Sequence, residues 1–153
     1  MADPVTTGAE RRHDRSVRDR DRDIESALQR LGNLCTYLQA DDDLREVLES
    51  DGRLLVDTWT GLAEATGQDD PGGLLPLLDA VDAAGRAAGL DGVTYTTREY
   101  RPGPFPPGPR EVTGWRCPHR VACGRVELSA DQSVERRCML TGDAMTWASV
   151  SSG

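Results

Sequence analysis

The chain has 153 residues, 37% hydrophobic and only 5% aromatic, with a net charge of −8 and a mean hydropathy of −0.53. That size allows one domain, or a small domain with an appendage. No apolar run reaches the ~18–20 residues that cross a bilayer, and Met1 to Asp23 lacks the apolar centre of a signal peptide.

The default compartment is therefore a reducing cytoplasm, where clustered cysteines bind metal or do redox work more often than they form structural disulfides. All 18 basic residues are arginine, and Ile24 and Asn33 are the sole residues of their types. That bias is the mark of a GC-rich bacterial genome.

Charge divides the chain. Residues 1–23 carry six arginines and six acids, residues 24–92 four arginines and fourteen acids, and residues 93–153 eight arginines and six acids. The middle is an acidic body that repels nucleic acid, and the tail is mildly basic.

Residues 1–15 show no periodicity and read as a disordered charged arm. The run Arg18-Asp19-Arg20-Asp21-Arg22-Asp23 gives no opposite-charge pairing at the i,i+4 spacing, so an arm or a frayed helix start is expected. From Ile24 an apolar stripe begins. Ile24, Leu28, Leu31, Cys35 and Leu38 share one helix face, and Cys35 within it reads as a buried core cysteine.

Asp41-Asp42-Asp43 should supply a cap for a second helix through Leu44, Val47 and Leu48. Asp51-Gly52 interrupts or kinks it. Leu54, Leu55, Trp59, Leu62 and Ala63 continue the apolar face to Thr66, with Gly67 placed to end it and Trp59 as the core anchor. Asp69-Asp70-Pro71 starts a third amphipathic helix through Leu74, Leu75, Leu78, Val81, Ala84 and Ala88, closed by Gly89. Residues 16–92 thus read as an acidic bundle of three helices, or four if the second is split.

The segment 93–114 reads as a strand, Val93 to Tyr100, followed by a proline-rich linker over residues 102–109. Five prolines there favour polyproline II; the segment is a stiff spacer, or a docking peptide with Phe105 as its anchor.

Residues 115–148 hold the densest chemistry. Cys117-Pro118, His119, Cys123-Gly124 and Cys138 bring thiols and an imidazole into one short stretch, the donor types of a tetrahedral zinc site. A proline after one cysteine and a glycine after the next suit turns whose amides point at thiolates. Val126-Glu127-Leu128 and a return strand near Cys138 suggest a short hairpin, and residues 149–153 a flexible tail.

The stretch resembles zinc-ribbon and zinc-knuckle modules. The resemblance implies Zn2+ held by Cys117, Cys123 and Cys138, with His119 as fourth ligand and Asp143 as the alternative. His119 with Cys123 is also similar to the zinc-binding anti-sigma factors, whose further cysteine falls here on Val126. The whole chain looks like small accessory proteins of actinobacterial regulatory or defence systems.

No phosphate-binding glycine loop or Ser-His-Asp set is present in the sequence, and no glutamate is placed as a base beside a ligand histidine. The expected fold is mainly α, a short helical bundle followed by a small β-rich zinc module. The expected function is a non-enzymatic adaptor binding a protein with a basic surface. The alternatives are nucleic-acid binding through Arg116, Arg120, Arg125, Arg136 and Arg137, and a thiol redox sensor.

Overall fold

A computed structural model describes residues 8–68, 71–95, 110–119, 123 and 125–152. The described chain is mainly helical with a small antiparallel sheet. Helix α1 spans Gly8–Ala40, α2 Leu44–Glu49, α3 Val56–Thr66 and α4 Leu74–Ala87, with 3-10 turns at Ser50–Gly52 and Pro71–Gly73. No described helix is long and apolar enough to cross a membrane.

Helix α1 begins earlier than the sequence suggests, since residues 8–15 belong to it rather than to an arm. Strict sign alternation makes i,i+4 neighbours alike, but it makes i,i+3 neighbours opposite. Arg18/Asp21, Asp19/Arg22 and Arg20/Asp23 are such pairs, and i,i+3 neighbours also face each other on a helix. The apolar stripe behaves as expected further on: Leu31, Cys35 and Leu38 are buried, joined by Ala27 and Leu34.

The second helix is split, and the cause is visible. Asp51 and Gly52 both adopt positive φ, 58° and 70°, where a helix cannot continue. Leu55 then enters α3 in an extended conformation and stays 69% exposed, outside the apolar face proposed for it. No side chain caps α2. Asp41 instead accepts a hydrogen bond from the Asp43 amide, closing a local Asx turn. Trp59 is buried in the core as expected.

Val93 and Thr94 do not form a strand. Both are buried against the bundle, where Thr94 meets a polar lock. Arg30, inside the core, pairs with Asp82 at 2.8 Å and with Asp79 at 2.8 Å, and its Nε donates to Thr94 Oγ1 at 2.9 Å. The Thr94 amide donates to Asp82 Oδ1 at 2.9 Å. The rest of the strand expected to Tyr100, and the proline-rich segment 102–109 with Phe105, lie outside the described residues.

The sheet has the order β2-β1-β3, with β1 at Arg110–Arg116, β2 at Val126–Leu128 and β3 at Thr146–Ser152. Strand β2 pairs with β1, so the hairpin proposed between Val126-Glu127-Leu128 and the Cys138 region is not formed. Residues 149–152 are the end of β3, antiparallel to β1, and not a loose tail. Gly114 permits the β1–β2 approach, because a β-carbon there would stand 2.4 Å from the Glu127 carbonyl oxygen. Opposite each other on β1 and β3, Trp115 and Trp147 make an edge-to-face pair with centroids 5.2 Å apart.

The sheet unit is docked on the helices. Cys123, Cys138 and Leu140 belong to the same buried cluster as Leu31, Leu34 and Leu38 of α1. Gln39 donates to Glu127 at 2.9 Å, and the Arg45 guanidinium donates to the carbonyls of Met139 and Leu140 at 2.7 and 3.2 Å.

Candidate metal centre

The docking of the tail on α1 brings all four cysteines to one place. Cys35, Cys117, Cys123 and Cys138 line a single small cavity of about 10 Å³, together with Arg125 and Met145. None of the four is in a disulfide. The space is about that of one water-sized particle.

Each tail thiol sits at the mouth of a tight turn whose amides aim at its sulfur. Cys117 accepts from the backbone N–H of His119 and of Cys123. Cys123 accepts from the N–H of Arg125. Cys138 accepts from the N–H groups of Leu140 and Thr141 and from the Thr141 hydroxyl. In all three cases the residue two positions on is a donor. The Cys138 turn is closed by Gly142 at φ 79°, with its amide donating to the Cys138 carbonyl at 2.8 Å.

The thiols also touch one another. Cys35 hydrogen-bonds with Cys123 and Cys138, and Cys117 with Cys123. Donation from Cys117 and then Cys35 outweighs burial and holds Cys123 down at about 3; donation from Cys35 does the same for Cys138, at about 4. The donors are pushed the other way. Contact with the Cys123 sulfur, then with Cys138, raises Cys35, and contact with Cys123 followed by burial raises Cys117. The contacts thus favour charge on Cys123 and Cys138 and disfavour it on Cys35 and Cys117.

His119 is brought near this cluster but not into the cavity lining. Its Nε2 lies 2.9 Å from Thr141 Oγ1 and its Nδ1 3.8 Å from Asp143 Oδ2. Asp143 is exposed and does not line the cavity either.

Sequence reasoning assigned Cys35 to the core, and it is buried there, 3% exposed; its contact with the tail thiols is the part that went unseen. Among the described residues, no group of three or more His, Cys, Asp or Glu side chains is so placed that it could hold a metal ion as it stands. The donor types are nevertheless those that a soft divalent ion takes: four thiols, three of them buried, around a cavity of one-ion size.

The tail arginines are largely committed. Arg125 and Arg136 pair with Glu127 at 3.1 and 3.0 Å, and Arg137 pairs with Glu135 at 2.8 Å. Arg116 is exposed, and Arg120 lies outside the described residues.

The fold and the thiol cluster define a mainly helical protein with a cysteine-rich β unit docked on its first helix. No family model, no curated protein and no solved structure matches the chain.

Proposed function

We propose that this is a non-enzymatic protein-interaction adaptor whose C-terminal unit is held by zinc. One observation carries the reading. Cys117, Cys123 and Cys138 each accept an amide N–H from the residue two positions on, around space for one small particle. That is the environment in which thiolates bind a structural metal. The ion would substitute for apolar mass that the tail lacks, since Trp115, Leu140 and Met145 are its main buried hydrophobes.

A structural role is favoured over a catalytic one. A cavity of about 10 Å³ admits an ion but no organic substrate, and its described lining offers thiols, Arg125 and Met145 rather than a carboxylate base. The interaction role rests on charge. Asp42, Glu46 and Glu49 line an open groove on α2 beside Arg45, in a body of strongly acidic sequence, which suits a partner with a basic surface. Pairing of Arg125, Arg136 and Arg137 with acids weighs against nucleic acid as that partner.

The experiment is thiol titration of the freshly purified chain, with and without a chelator. Thiols that stay unreactive until the chelator is added support zinc. A second reading, a thiol redox sensor, is favoured by the direct Cys117–Cys123 contact. It gains if the metal-free thiols react readily and peroxide links this pair in a disulfide that dithiothreitol reverses. Capture of the chain on a basic protein, abolished by salt, tests the partner class; retention on DNA at low salt instead would favour the nucleic-acid alternative.

A further inference from the structure

We infer that Cys35 of helix α1 is the fourth ligand of that ion, so that the metal fastens the first helix to the C-terminal sheet unit. The inference rests on the zinc reading above and names the part of the shell that reading leaves open.

Three observations place Cys35 ahead of His119. First, Cys35 lines the cavity with the three tail thiols and is in hydrogen-bonding contact with two of them, Cys123 and Cys138. Four sulfurs bound at about 2.3 Å to one ion stand about 3.8 Å apart in a tetrahedron, a cluster of the kind that four thiols around one small cavity can form. Second, His119 does not line the cavity, and its ring is held between Thr141 and Asp143. Its place is behind Cys138, where it positions the Thr141 hydroxyl that donates to that sulfur.

Third, α1 is shaped for the approach. Gly32 lies one turn before Cys35 on the same helix face. A β-carbon on Gly32 would stand 2.6 Å from the Cys123 carbonyl oxygen, so only glycine lets the helix come this close to the Cys123 turn. The four thiolates of such a shell carry excess negative charge. The amide donors at Cys117, Cys123 and Cys138 and the Arg125 guanidinium on the cavity wall offset it.

The consequence is a long-range clip. Zinc would close the chain between α1 and the tail across the whole helical bundle, and its loss would release the sheet unit from the body. A metal that closes so long a loop restricts the unfolded chain strongly.

The test is X-ray absorption at the zinc edge on the zinc-loaded full chain. Four sulfur neighbours at about 2.3 Å support the assignment; three sulfurs with one nitrogen or oxygen overturn it. Cys35→Ala is expected to lower zinc affinity by more than about 100-fold, beyond the 10–100-fold loss typical of an outer-shell partner. His119→Gln is expected to keep one zinc in an all-sulfur shell. Undiminished affinity in Cys35→Ala, with folding verified by circular dichroism, would also overturn it. If that variant does not fold, the absorption spectrum of the unaltered chain decides. A wild-type chain that binds no zinc at all removes the underlying reading, an outcome distinct from a zinc held by three sulfurs.

Discussion

The carbonyl oxygen of Cys123 lies 2.6 Å from the point where a β-carbon on Gly32 would stand. Helix α1 and the Cys123 turn therefore meet backbone to backbone, and the thiol cluster depends on that contact. Gly32→Ala sets two effects against each other. Alanine in a helix interior gains about 1 kcal/mol over glycine, whereas forcing a methyl against a fixed backbone oxygen costs about 1–3 kcal/mol. The clash is with backbone, which cannot rotate away, so net destabilisation is expected in urea unfolding. A stabilised variant would mean that the turn is not held against the helix.

Arg45 clasps the Cys138 turn. Its guanidinium donates to the carbonyls of Met139 and Leu140 while lying 4.9 Å from the ring centroid of Trp59. Arg45→Met is expected to lose about 1.5–3 kcal/mol, the range for hydrogen bonds to a charged group. Hydrogen exchange of the Gly142 amide, bonded to the Cys138 carbonyl, reads the loosening locally. Unchanged protection there would show that Arg45 does not hold the turn.

How much of this was legible in the sequence differs by element. Helix α1 from Ile24 and the break at Asp51-Gly52 are written locally, in apolar spacing and in residues that tolerate positive φ. The sheet was less legible because its pairings are non-local. The β2 segment was recognised, but nothing near it names β1 as its partner, and β1 follows directly on the proline-rich stretch. The tail thiols were recognised by their clustering. Cys35 was hidden because it occupies a regular place in an apolar stripe, where a cysteine is an ordinary core residue. Only Gly32, one turn before it in an otherwise good helix, hinted at a close neighbour.

The polar lock under α1 makes a separate prediction. Asp82 pairs with Arg30 and accepts from the Thr94 amide, and the Arg30 and Asp82 side chains are 5% and 6% exposed. Asp82→Ala leaves a buried guanidinium with, among the described residues, only the exposed Asp79 as an acidic partner, and about 3–5 kcal/mol of stability should be lost. Replacing both members, Arg30→Met with Asp82→Leu, should cost less than the sum of the single changes. Denaturant midpoints of the three variants check this; additive losses would show that the pair is not coupled.

Glu127 gives the pH dependence. Partial burial pushes its carboxyl up, but hydrogen bonds from Gln39 and Arg125 and the charges of Arg136 and Arg125 outweigh that and hold it below the usual range. A depressed carboxyl contributes stability above its unfolded value, about 4.3, and loses that contribution as pH falls through its lower folded value. The unfolding midpoint of the wild type should therefore fall toward that of Glu127→Gln as the solution is acidified below about 4.3. A gap between the two that stays constant from neutral pH down to pH ~2 would contradict the assignment.

Metal content tests the central claim most directly. The chain purified under reducing conditions, analysed for metals alongside its protein concentration, is expected to carry one zinc ion per molecule. Removing that ion should expose Cys35, Cys117, Cys123 and Cys138 to alkylation. A metal-free chain that keeps its full secondary structure and leaves the same four thiols buried and unreactive would contradict the account.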